Sequence, residues 1–336
     1  MSLRMLQIVI PKDEQSRLCD VLEEGSITDW WTTPLGDELQ MTSVLIRSQL
    51  VEPVLDSLKD EFDSLDGFRV LLAPLEATHP ALPEPDEEKE EVPGDEGRWS
   101  PRFGRVSREE LIEDVNESSD TGPIFSIMVV LSTVVACVGM LKDSPAVIIG
   151  AMVIAPLLGP NIALALGTTL GDFDRIRSSI RSNLIGLGIA IGSAVLFGFF
   201  VNPDEMTDQL SLRTSVDLGD ILLALASGSA GAIAFTSGAS ATIVGVMVAV
   251  ALLPPTAAAG MFLGASSWTE AGQAATLAAT NIVCINLSAT GVFLIQGVRP
   301  GSWLDHDRAK SASVRAIIVW TIMLIGLGLL IKLAWS

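Results

Sequence analysis

From Ile124 onward the chain is a succession of apolar runs close to 20 residues each, the length of helix that crosses ~30 Å of hydrocarbon. Seven such runs are legible: Ile124–Leu141, Ala146–Thr168, Leu184–Val201, Ile221–Thr236, Ala241–Leu263, Ala274–Gln296 and Val314–Trp335. A backbone in lipid must satisfy its own polar groups, so runs of this kind imply helices. They also leave a distinct front end, because the first 122 residues hold 29 of the 40 Asp and Glu against 11 of the 21 Lys and Arg. The net charge of −19 therefore belongs almost entirely to the polar front.

One apolar run is duplicated. Ala146 to Pro160, AVIIGAMVIAPLLGP, returns as Ala241 to Pro255, ATIVGVMVAVALLPP, with eight of fifteen positions identical. Both copies carry helix breakers: Pro156, Gly159 and Pro160 in the first, Pro254 and Pro255 in the second. Ser182-Asn183-Leu184-Ile185 likewise resembles Thr280-Asn281-Ile282-Val283. The repeating unit then spans three helices, 124–201 and 219–297, with a final helix over 314–335. A unit of odd span number reverses its orientation on duplication, which gives a 3+3 inverted repeat plus one helix. Paired, Pro-interrupted segments of this kind point to a binding site near the bilayer midplane.

Loop charges orient the bundle. Arg175, Arg177 and Arg181 lie between spans 2 and 3, and Arg299, Arg308 and Lys310 between spans 6 and 7, with Arg315 at the start of span 7. The loop between spans 3 and 4 is acidic, and the one between spans 5 and 6 has no Lys or Arg. The positive-inside rule sets the N-terminus in the cytoplasm and the C-terminus outside a plasma membrane.

The spans carry almost no charge, which speaks against a carboxylate proton relay and against an intramembrane enzyme. Proline lacks an N–H and frees the carbonyl four residues earlier. Asn161 and Thr256, at matching places just past the breakers, could add ligands. The candidate substrate or ion site is therefore Pro156, Gly159, Pro160, Asn161, Pro254, Pro255 and Thr256. Ser227, Ser229, Asn281 and Asn286 are candidates for pore lining, with close helix packing as their alternative role. No metal-ligand spacing, cofactor motif or catalytic constellation stands out, and Cys19, Cys137 and Cys284 form no framework.

The front end reads as βαββαβ, the ferredoxin-like pattern. Strands are expected at Met5–Ile10, Ile27–Thr33, Glu38–Ile46 and Phe68–Leu75, with helices at Asp13–Glu24 and Gln49–Phe62. This gives a cytosolic α+β domain over 1–76, which could sense a metabolite; Trp30 and Trp31 either line a pocket or set one of the pair toward the core and the other toward a neighbouring subunit. Residues 77–104 are acidic and Pro-rich, an expected disordered linker. Residues 105–120 form an amphipathic helix opened by the capping box Ser107-Arg108-Glu109-Glu110, and 121–336 is the transmembrane domain. The acidity excludes a nucleic-acid footprint. Six lysines against fifteen arginines, with so many acids, suggest a halophilic archaeon's salty cytoplasm. The short apolar core of the first residues does not make a signal peptide.

The segment Ser107-Arg108-Glu109-Glu110-Leu111-Ile112-Glu113-Asp114 through VVLSTVVACVGMLKDSPAVIIGAMVIAPLLGPNIALALGTTLGD, with SGASATIVGVMVAVALLPPTAAAG later, closely resembles the bacterial and archaeal membrane family catalogued as domain of unknown function 389. That resemblance implies an α-helical polytopic membrane bundle and no settled activity. Two functions remain open: a transporter or channel for a small solute or ion, or a membrane-anchored sensor or scaffold. Small-residue spans and a domain of this type imply a homo-oligomer in the lipid bilayer.

Overall fold

The computed structural model describes residues 3–24, 27, 29–75, 106–201, 207–238, 241–300 and 303–334, and side chains there except at 24, 49, 241–250, 303–311, 313 and 330–334. The acidic linker expected over 77–104 lies outside the described residues. The chain divides into two compact units, residues 1–110 and 111–336.

The first unit is built from β1 (Leu3–Pro11), a 3-10 turn, α1 (Gln15–Glu24), β2 (Trp30–Leu35), β3 (Leu39–Arg47), α2 (Ser48–Phe62) and β4 (Arg69–Leu75). The order βαββαβ is as expected, and the four strands form one antiparallel sheet in the order β2-β3-β1-β4. Alternation decides which face is covered. Leu6, Ile8 and Ile10 of β1 and Val44 and Ile46 of β3 lie on one face, where they pack with Leu18 and Leu22 of α1 and Val51, Leu55, Leu58 and Phe62 of α2. Trp30 packs partly against this core, whereas Trp31 is exposed.

Two arginines at the end of this unit are almost fully buried, and each is matched by acids. Arg4 donates to both carboxylate oxygens of Glu110 at 2.9 Å. Arg108 bonds Asp56 and Glu109 at 2.6 Å. The capping box is half formed. The Glu110 N–H donates to Ser107 Oγ at 3.3 Å, but the Glu110 carboxylate goes to Arg4 instead of closing back on the helix end. A buried cation requires a charged partner more than the helix end requires a second cap.

The second unit continues from the helix α3 (Arg108–Ser119) with α4 (Pro123–Leu141), α5 (Pro145–Ile154), α6 (Leu158–Leu170), α7 (Phe173–Val201), the short α8 (Asp208–Ser211), α9 (Leu218–Thr236), α10 (Ala241–Gly264), α11 (Trp268–Ile295) and α12 (Trp303–Ala334). Among the described residues α4, α7, α9 and α11 are long and apolar enough to cross a membrane, and the bent pair α5–α6 makes a fifth span if counted as one. Ala251–Gly264 and Val314–Leu329 are shorter apolar stretches of helix. Large apolar side chains such as Ile124, Leu184, Phe199, Phe200, Leu222 and Ile295 face outward. Apolar surface on that scale belongs in lipid, and this unit is that of a membrane protein.

Several helices outrun the apolar runs that announced them. Gly171 ends α6 in the left-handed region, at φ 70°, and Asp172 accepts the Arg175 N–H at 3.0 Å. This cap starts α7 eleven residues before Leu184, so Arg175, Arg177 and Arg181 are helical and not in a loop.

Inside the bundle, helices meet through small residues. The buried face of α7 is Ser179, Ser182, Gly186, Ala190, Ala194 and Gly198, mostly four apart. A β-carbon at Gly198 would fall 2.3 Å from the Met261 carbonyl oxygen, and one at Gly264 would fall 2.3 Å from the Val195 carbonyl oxygen. The α7–α10 seam is thus backbone against backbone, the small-xxx-small mode of membrane helices. Gly228 of α9 meets Ile285 of α11 in the same way, at 2.7 Å.

Candidate functional site

The first copy of the duplicated segment is broken where its prolines fall. A residue before proline is pushed out of the helical region, and Ala155 takes φ −73° and ψ 118°. The helices on either side, α5 and α6, are bent by 55°. All thirteen residues of α6 are buried. A helix enclosed on every side is surrounded by protein, and α7, α11 and α12 pack on it.

The break is closely packed on its neighbours. Leu157 Cδ2 and the Phe125 ring both press on Gly186, each 3.1 Å from where its β-carbon would be. Phe125 lies in the first turn of α4, so the break is level with the start of that span. Gly159 lies against α3, where a β-carbon would come 1.9 Å from the Ser118 carbonyl oxygen.

The second copy departs from expectation: α10 runs unbroken from Ala241 to Gly264 with Pro254 and Pro255 inside it. The alignment gives the reason. Pro156 corresponds to Ala251, so the residue that breaks the first copy is missing from the second. The prolines still free the carbonyls of Val250 and Ala251. Asn281 of α11 satisfies the latter, donating Nδ2 to the Ala251 carbonyl at 2.7 Å.

The matched pair does the same thing in both copies. Asn161 Nδ2 donates to the Leu157 carbonyl at 2.9 Å, and Thr256 Oγ1 to the Leu252 carbonyl at 2.7 Å. The two segments also share a level. Gly260 faces Ile191, Ala194 and Val195 of α7, while Gly264 faces Val195, Gly198 and Phe199. Continuing that register back somewhat under two turns sets Pro254 and Pro255 beside Gly186 and Gly188, the level of Leu157.

A second polar set follows along α6 and α11. Asn286 Nδ2 donates to Asn161 Oδ1 at 3.0 Å and to the Ile282 carbonyl at 2.9 Å. Thr168 and Thr290 hydroxyls lie 3.4 Å apart. Asn161, Asn286, Thr168 and Thr290 are all buried. The amide oxygens of Asn281 and Asn286 are buried with no hydrogen-bond partner among the described residues. Neither α6 nor α11 contains an Asp or Glu except Glu270 in the first turn of α11.

Of the candidate residues, the fold joins Asn161 to Asn286 and Asn281 to the carbonyl freed by Pro255. Gly159 goes to α3 instead. Ser227 and Ser229 flank Gly228, and Ser229 bonds back to the Leu225 carbonyl at 2.9 Å, a close-packing arrangement. Thr168 and Thr290 belong with the site but were not singled out. Their signal was spacing: Thr290 is four residues after Asn286, and Thr168 seven after Asn161, so each shares its partner's helix face. Among the described residues no cluster of His, Cys, Asp or Glu could hold a metal.

The family of the domain of unknown function (DUF389) matches residues 152–287, from the end of α5 into α11. An uncharacterized protein of Methanocaldococcus jannaschii is 31% identical over 331 residues, covering 98% of this chain and 99% of that protein. No solved structure matches.

Proposed function

Because this chain belongs to the DUF389 family, whose name carries no activity, we propose that it is a multi-pass plasma-membrane protein that moves a small solute or ion, regulated by its front domain. The observation that carries the reading is the enclosed half-helix α6, which opens at a broken backbone and faces Asn286 with Asn161. Polar backbone breaks inside a membrane are tolerated where they line a cavity or are buried in protein, and transporters use them for ligands.

The finer architecture belongs to the same proposal. Seven spans, counting α10 and α12, form a 3+3 inverted repeat plus one, with the N-terminus cytoplasmic and the C-terminus outside. Support comes from the packing: α6 of span 2 lies on α11 of span 6, and α10 of span 5 lies on α7 of span 3. A pseudo-two-fold that makes one of these contacts makes the other. The parallel register of α7 and α10 agrees with spans 3 and 5 running the same way. The sheet order supports a ferredoxin-like label for the first unit, and the exposed edge strand β2 supports a homo-oligomer. No catalytic chemistry is assigned.

The alternative, a membrane-anchored sensor or scaffold, is favoured by the backbone-tight contacts at Gly198, Gly228 and Gly264, which suit a sealed bundle. Solute and ion uptake by proteoliposomes decides between them. Transport predicts uptake above empty vesicles that falls at least tenfold in Asn161→Ala. A broad ion and metabolite panel with no uptake leaves the scaffold.

A further inference from the structure

The orientation of the Asn286 carboxamide is fixed by its neighbours. Both of its N–H donors are used, one on Asn161 Oδ1 and one on the Ile282 carbonyl. A flipped amide would set its oxygen against those two acceptors, so the assignment follows from the network. The remaining Oδ1 is fully buried and unpartnered among the described residues. A buried acceptor left without a donor forfeits the hydrogen bonds it made in water.

The surroundings are rich in oxygen, and most of the donors there are engaged. One N–H of Asn161 Nδ2 goes to the Leu157 carbonyl, and the Thr168 hydroxyl donates to the Ala165 carbonyl at 2.8 Å. What faces the seam is carboxamide oxygen from Asn161 and Asn286 and hydroxyl oxygen from Thr168 and Thr290. An orphaned acceptor among acceptors calls for a positive partner. Neutral oxygens that replace a hydration shell suit a hard cation. The seam offers no carboxylate to balance a double charge, which selects a single one.

We propose that the α6–α11 seam binds a dehydrated monovalent metal cation, Na+ or K+, through Asn286 Oδ1, Asn161 Oδ1 and the Thr290 hydroxyl. This takes the transport reading above as its premise and names the substrate class, or coupling ion, of that same site.

Purified full-length protein in detergent tests it by thermal unfolding in NaCl, KCl, MgCl2 and choline chloride at equal ionic strength. The expected result is a saturable rise in Tm with Na+ or K+ over choline. Asn286→Ala and Thr290→Val should each shift its half-saturation at least tenfold. Equal curves in choline overturn the site, as does stronger stabilisation by Mg2+ or an unmoved half-saturation in the variants. Should Asn286→Ala fail to fold, the near-isosteric Thr290→Val decides alone. Uptake of 22Na+ and 86Rb+ by proteoliposomes is read separately. Cation-specific stabilisation without any flux keeps the site and removes transport, whereas solute flux without that stabilisation does the reverse.

Discussion

The contact between Asn281 and Ala251 makes a sharp energetic prediction. Pro255 cannot donate to the Ala251 carbonyl, and Asn281 Nδ2 does so in its place, across helices, at 2.7 Å. Ala251 is buried, so in Asn281→Leu this carbonyl has nothing to turn to. Leaving it unpaired costs ~1–3 kcal/mol. The leucine also removes Asn281's own unpartnered oxygen, which hides part of that loss in the single variant. A double-mutant cycle cancels the hidden part, because the oxygen is removed in both backgrounds. Pro255→Ala restores a backbone N–H to the helix, which can bond the Ala251 carbonyl itself. Asn281→Leu should then lose less in the Pro255→Ala background, with a coupling of ~1–2 kcal/mol. The assay is reversible unfolding of the four proteins in detergent. Losses that add within ~0.5 kcal/mol would refute the reasoning, since the asparagine would not then be replacing the proline's missing donor.

Other substitutions separate close approach from mere flexibility. Gly159→Ala should destabilise by several kcal/mol or displace α3, because its β-carbon would meet the Ser118 carbonyl at 1.9 Å; Gly192→Ala, with nothing within 4 Å, should be neutral or stabilise by ~0.5–1 kcal/mol. Both are read as changes in Tm. In the first unit, burial pushes the Glu109 carboxyl up, but hydrogen bonds from Lys59 and Arg108 outweigh it and hold it below the usual carboxylate range. A depressed group gives stability that is present above the ordinary value of ~4.3 and is lost as pH falls through the lower one. Tm should therefore fall on acidification below about pH 4.3, and Glu109→Gln should flatten part of that fall.

The legible and illegible parts of this fold separate along one line. Periodicity and breakers act within a segment, and they placed the strands, the helices of the front end and the break at Pro156 within a few residues. What happens between segments was not written locally. Two duplicated segments with eight identities look equivalent, yet the one exchange of Pro156 for Ala251 leaves α10 straight. Gly159 reads as a helix breaker, whereas its lack of a side chain serves the approach of α3. Asn183 and Asn281 occupy matching places, yet Asn183 bonds back to the Ser179 carbonyl of its own helix at 3.1 Å and Asn281 crosses to another. Composition around each residue is alike in the two copies, and only the partner helix differs.

That difference bears on where function resides. If spans 1–3 and 4–6 are related by a pseudo-two-fold, the α7–α10 and α6–α11 seams are images of each other, and duplication began them alike. They are now chemically opposite. The α7–α10 seam is Gly and Ala with backbones in contact, which leaves no room for a ligand. The α6–α11 seam is lined by Asn161, Asn286, Thr168 and Thr290, with an acceptor to spare. Close packing gains from every atom it touches, whereas a half-satisfied polar network is a liability in a bundle that needs only to be stable. The two seams should therefore respond differently to substitution. Gly198→Val should lower Tm by opening backbone contacts, and any transport it loses should follow the loss of folded protein. Thr290→Val, which only exchanges a hydroxyl for a methyl, should leave Tm in choline within a few degrees while reducing uptake per folded molecule at least tenfold. Equal effects of both variants on stability and on uptake would make the polar seam a structural element and no more.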